Sequence, residues 1–189
     1  RWLAVGPGGD LFVATYRAVF KVTPAGTMYR VTGNPWEDEP AVDGQPAVHA
    51  VVDDLTGLAV DAQGTIVVSQ ECGIRRVTLD GIIHDVAGLN TCQVAGQSDP
   101  APALLAHVSN VYAIALDQDG SILFSDMFYV GELEARFHVR RVGLDGITRT
   151  LIPNVPGGSN ADGASAANAN FGLFTSLAVT PAGDLLASD

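Results

Sequence analysis

LAVDAQGTIVVSQ, running from Leu58 to Gln70, is written four times with variations. LAVGPGGDLFVAT begins at Leu3, IALDQDGSILFSD at Ile114 and LAVTPAGDLLASD at Leu177, a period of about 55 to 63 residues. Each copy is an apolar triplet, a glycine-bearing turn and a second apolar stretch rich in β-branched and large side chains. That pattern is a hairpin whose strands are covered on both faces. Gly9, Gly64, Gly120 and Gly183 hold the same place in the turn, where a tight hairpin demands positive φ. Self-similarity at a set spacing marks a repeat architecture and takes precedence over local readings.

Columns outside the phrase agree. Val22, Val77 and Val142 each stand four residues before Gly26, Gly81 and Gly146, and Val31, Val86 and Leu151 follow those glycines. Asp43, Asp99 and Asp162 precede the alanine pairs Ala47/Ala50, Ala103/Ala106 and Ala166/Ala169. The spacing predicts a third strand through Val19–Val22, Ile74–Val77 and Val139–Val142, and a fourth ending near Thr32, Ala87 and Ile152. The alanines, at i and i+3, predict one helical turn with the upstream aspartate as its N-cap. Four antiparallel strands per unit read as blades of an all-β propeller. The units are 3–57, 58–113, 114–176 and an incomplete 177–189, forming one domain over residues 1–189. Three blades and the first two strands of a fourth leave blade edges open, so the expectation is a portion of a larger ring.

GSNADGASAANANF at 158–171 leads into SLAVTPAGDL at 176–185, and together they resemble the NHL repeat. GLAVDAQGTIVVS at 57–69, IRRV at 74–77 and IIHDVAG at 82–88 resemble its hairpin, its basic third strand and its fourth strand. The resemblance covers essentially the whole chain. It departs at the Pro-x-Gly expected before the first strand, which is absent, and at Phe20-Lys21, which matches only half of the basic strand. It implies a ring of about six blades, similar to NHL and gluconolactonase-like propellers.

A net charge of −11 and a pI near 4.5 disfavour nucleic acid and anionic lipid as partners. With 47% hydrophobic and only 16% charged residues, the chain has the profile of a folded globular protein rather than a disordered one. No apolar run approaches the ~18 residues a membrane helix needs. Cys72 follows the second strand of its unit and Cys92 the fourth, exits about 10 Å apart across the third strand. Short loops from both could bring the two cysteines within bridging range, which would suit a secreted, periplasmic or extracellular protein; the alternative is two free thiols.

Thr15, Gln70, Asp126 and Asp189 share the column where the second strand exits, with Glu71 beside Gln70. In a propeller these exits ring one mouth of the axial channel. Asp126, Asp189 and Glu71 are therefore candidate oxygen ligands for Ca²⁺ or another divalent cation. The competing reading is that the aspartates cap the following turn through backbone N–H groups. The four histidines share no column and form no zinc-type spacing, and GxSxG, HExxH and GxxxxGK[ST] are missing. Arg75-Arg76 and Arg140-Arg141 read as cations that pair with neighbouring carboxylates.

The third unit carries an insertion of about nine residues between Asp126 and Arg140. It brings Phe128, Tyr129, Glu132, Glu134, Arg136 and Phe137 to the same mouth, as a recognition loop or a lengthened hairpin. Trp36, with Glu37, Asp38 and Glu39, forms a second loop of interest. The resulting expectation is a non-catalytic propeller scaffold that binds a protein, small molecule or carbohydrate through face loops. Two alternatives are a metal-dependent lactonase or lyase, and an extracellular sensor domain of a larger protein.

Overall fold

The computed structural model describes residues 2–34, 36, 42–88, 99–130 and 134–188, with 128–130 and 134 described by backbone alone. Blade 1 is the meander β1 (Trp2–Val5), β2 (Leu11–Ala14), β3 (Val19–Val22) and β4 (Met28–Thr32). Blade 2 repeats it with β5 (Gly57–Val60), β6 (Ile66–Gln70), β7 (Gly73–Val77) and β8 (Ile83–Ala87). Blade 3 comprises β10 (Val111–Leu116), β11 (Ile122–Val130), β12 (Glu134–Val142) and β13 (Ile147–Pro153), with the short β9 (Ala101–Pro102) added at its outer edge. β14 (Ser176–Val179) and β15 (Leu185–Ser188) form a two-stranded sheet.

The sheets stand side by side about one axis. β1 packs on β5, β5 on β10 and β10 on β14, and residues from all four inner strands line one small axial cavity of ≈130 Å³. Trp2, Gly57, Ala113 and Ser176 occupy equivalent places on its wall. A Cβ on Gly57 would lie 2.6 Å from Ser69 Oγ and 2.7 Å from Ile114 Cγ2, so the close approach of blade 2 to blade 3 requires glycine there.

Alternation along each strand explains the apolar runs. On β6, Ile66 and Val68 enter the cluster shared with Phe12, Ala14 and Val19 of blade 1, while Val67 enters the cluster shared with Ile122 and Phe124 of blade 3. On β11, Ile122 and Phe124 face blade 2, whereas Leu123 joins Leu177 on the other side. A strand sandwiched between two sheets has no wet face, so its pattern is continuous rather than alternating. The turn glycines carry φ of 84° (Gly9), 96° (Gly64), 86° (Gly120) and 90° (Gly183), as the hairpin reading expects.

The connecting segments differ from expectation. The alanine pairs do form helical turns, at Ala47–His49, Ala103–Leu105 and Ala166–Asn168, but these are single 3₁₀ turns without a side-chain cap. Their N-cap positions are Pro46, Pro102 and Ser165. Asp43 and Asp99 instead reach outward to the blade. Asp43 accepts a hydrogen bond from the Asp85 backbone N–H at 2.8 Å, and Asp99 binds Arg140. For Asp99, a guanidinium within reach offers a carboxylate more than a lone backbone amide does. No helix among the described residues is long and apolar enough to cross a membrane.

Candidate functional site

The inserted segment of blade 3 is a hairpin that prolongs the blade. β11 and β12 pair without interruption from Ile122↔Val142 to Val130↔Glu134. The corresponding strands of blade 2 stop at Gln70↔Gly73, and those of blade 1 at Ala14↔Val19. Phe128, Tyr129 and Glu134 therefore stand at strand positions rather than on a loop, and their backbones pair opposite Arg136, Ala135 and Val130. Arg136 and Phe137 are half-buried; Glu132 lies outside the described residues. Residues 127–130 and 134–137 continue the register of β11 and β12, so the ladder runs on past the point where the other blades end.

Beneath its base lies a buried ionic cluster. Asp126 ends the portion of β11 shared with the other blades and pairs in register with His138. Arg140, two residues along β12, is on the same side of the sheet. Asp126 is 2% exposed and Arg140 4%, so neither charge can rely on water. Arg140 Nη1 donates to Asp126 Oδ2 at 2.8 Å and to the His107 carbonyl at 2.5 Å. Its Nε and Nη2 grip Asp99 bidentately at 2.9 and 2.5 Å, and the Thr150 hydroxyl donates to Asp99 Oδ2 at 2.8 Å. The guanidinium carbon also lies 5.3 Å from the centroid of the Phe124 ring.

Burial alone would lower the Arg140 pKa, but Asp99 and Asp126 reverse this and hold it above the ordinary arginine value. Burial would raise Asp99, yet Arg140 and Thr150 hold its carboxyl below the usual range. Among the described residues Asp126 Oδ1 has no hydrogen-bond partner, and His138 Nδ1 lies 3.7 Å from it.

The strand-exit column splits in the structure. The Thr15 hydroxyl donates to the Ala18 carbonyl at 3.0 Å, and Gln70 Nε2 to the Asp53 carbonyl at 2.9 Å. Only Asp126 of the described members enters an ionic cluster. Glu71 is exposed, and Asp189 lies outside the described residues. Among the described residues, no three His, Cys, Asp or Glu side chains come together as a metal would need. Asp126 itself fits a divalent cation poorly, because Arg140 holds one of its oxygens from 2.8 Å and would repel a second cation.

Cys72 is buried and disulfide-bonded, while Cys92 lies outside the described residues. Trp36 is 86% exposed, with its backbone N–H donating to Asn34 Oδ1; 37–39 lie outside the described residues. The arginine expectation is met on the third strands, where Arg75 pairs with Asp85 at 2.9 Å and Arg140 with Asp99 and Asp126. Sequence reasoning found both the aspartate and the arginine columns without joining them, and it missed His138 as a neighbour of Asp126. The signal was partial: aspartates and arginines recur in both units, but the insertion after Asp126 changes their separation from one unit to the next.

No protein-family model matches this chain, and no curated protein sequence matches it. Solved structures do. One is a Bacteroides thetaiotaomicron protein of unknown function, 15% identical with a TM-score of 0.63, matched over 97% of this chain and 43% of that one. Another is a candidate gluconolactonase, 17% identical with a TM-score of 0.56, matched over 100% of this chain and 56% of its own. A third is a Xanthomonas campestris gluconolactonase associated with glucose secondary metabolism, 18% identical with a TM-score of 0.54. That match covers 97% of this chain and 69% of the Xanthomonas protein. The chain thus spans about half the length of the first two. At these identities the likeness establishes the fold: the protein has β-propeller blades, arranged as they are in gluconolactonase-like propellers.

Proposed function

We propose that the protein is a non-catalytic propeller scaffold, of NHL type, whose recognising element is the β11–β12 hairpin. The observation that carries this reading is the uninterrupted ladder to Val130↔Glu134, rooted on the buried Arg140–Asp99–Asp126 cluster. A projecting hairpin with a rigid foot presents side chains at little further ordering cost when a partner arrives. Phe128, Tyr129, Glu132, Glu134, Arg136 and Phe137 supply aromatic and charged groups suited to a protein, small-molecule or carbohydrate surface. The test is a variant in which 127–138 is replaced by the short connection of blade 2. Ligands selected from a peptide-display library and a carbohydrate array with the intact protein should be lost by the variant. Retention of every ligand refutes the hairpin as the recognising element.

A second reading is a metal-dependent hydrolase of gluconolactonase type, favoured by the two gluconolactonase-like neighbours. Its ligands in this chain would be Asp126, Glu71 and Asp189, of which Asp126 is already engaged by Arg140. Calorimetric calcium binding together with hydrolysis of a sugar lactone would establish it over the scaffold reading. Export from the cytosol, with Cys72 bridged to Cys92, accords with the disulfide at Cys72. Complete alkylation of both thiols in denaturant without reductant rules out that bridge. A sensor domain within a larger protein is the third form the binding reading can take.

A further inference from the structure

At the end of the blades opposite the hairpin, a groove of ≈490 Å³ opens between blades 2 and 3. Its lining is largely apolar: Val86 of β8, Ala103 of the connecting turn, and Ile122 and Val142 of blade 3, with the exposed Leu104 and Leu144 at the rim. On its wall stands Arg76. Among the described residues this guanidinium makes one long hydrogen bond, 3.4 Å from Nη2 to the Gly120 carbonyl, and its buried Nε has no partner.

The same place in the other blades is occupied differently. Arg141 is paired with Asp119 at 2.5 Å and Asp117 at 3.3 Å, and Lys21 with Asp10 at 3.4 Å. Arg76 touches the very turn, 117–120, whose two carboxylates Arg141 already holds from the other side. Among the described residues it therefore has no carboxylate of its own. The other acidic group on the wall, Asp85, is paired with Arg75 at 2.9 Å, and His84 lies 3.4 Å from Asp43. A planar cation with unspent donors above an apolar floor is complementary to one chemistry: a carboxylate on a hydrophobic body.

We propose that this inter-blade groove binds a small amphipathic carboxylate, with its acid group on Arg76 and its chain over Val86, Leu104 and Leu144. The apolar body is essential, since an acidic protein repels a bare anion at long range and only burial of the chain offsets that. The site is independent of the hairpin.

The probe is octanoate, titrated calorimetrically into the intact protein, with 1-octanol and octylamine as isosteric controls. Octanoate should bind saturably at one site, and both controls at least tenfold more weakly. Arg76→Gln should weaken octanoate at least tenfold. Leu104→Glu, at an exposed rim position, should do the same by repulsion without disturbing the core. Lys21→Gln, altering an ion pair of blade 1 away from the groove, should leave binding unchanged. Circular dichroism melts establish that each variant is folded. Absence of saturable octanoate binding overturns the proposal, as does equal affinity for octanol, or full binding by folded Arg76→Gln.

Discussion

Blades 2 and 3 solve the same electrostatic problem in two ways. Arg75 and Arg140 hold equivalent places on β7 and β12; Arg140 ties the incoming connecting segment to the sheet through Asp99, whereas Arg75 pairs within its own sheet with Asp85. In blade 3 the latch is dry: Arg140 is enclosed by Asp99 and Asp126, and its pKa is held up against the effect of burial. In blade 2 the latch is wetter. Gln70 replaces the strand-exit carboxylate and turns to the Asp53 carbonyl. Asp85, 28% exposed, takes the guanidinium from the outer strand, while Asp43 remains open to solvent. There burial dominates and lowers the Arg75 pKa despite Asp85 and Asp43. A repeat thus conserves a position's role while exchanging its partners, and the blade that carries the long hairpin has the more deeply buried anchor.

The largest test of that contrast is Arg140→Met. It strands two carboxylates beneath the hairpin and should cost about 3–5 kcal/mol in urea denaturation, the range for removing one member of a buried pair. Arg75→Met leaves a carboxylate that can rehydrate, so about 1–2 kcal/mol is expected. Equal losses from the two variants would remove the distinction between dry and wet latches.

Acid should act on the dry latch next. Asp99 has a folded pKa depressed below its unfolded value, so its contribution is complete above about pH 4 and is lost as pH falls through the folded value. Asp99→Asn should therefore be less stable at neutral pH but flatter in its melting temperature between about pH 4 and pH 2. An unchanged acid slope contradicts the assignment. The smallest effect belongs to Arg149→Gln, which breaks an exposed i,i+4 pair with Asp145 at 2.8 Å. No measurable shift in the melting temperature is expected.

The blades were legible in the sequence because their causes are local. Turn glycines fix the hairpins, and burial on both faces leaves apolar runs such as Ile66–Val68 and Ile122–Phe124. The site was legible only in part. Asp126 was singled out for its column, but as a cation ligand, since nothing near it in sequence reveals a guanidinium claiming its carboxylate. Asp99 was read as a helix cap because the Ala103 turn is its nearest neighbour along the chain, whereas Arg140 is 41 residues away. The insertion after Asp126 was visible as extra length. Its form as a continuous ladder depended on how residues on two strands met.

Taken alone, the sequence determined the repeat and the strand order within a blade, because strand propensity and turn stereochemistry act over a few residues. The tertiary structure alone decided which charges meet. It gave Arg140 two carboxylates and, among the described residues, left Arg76 with none, because a charge is satisfied by whichever group packing brings within about 3 Å, and that depends on how one blade's turns sit against the next.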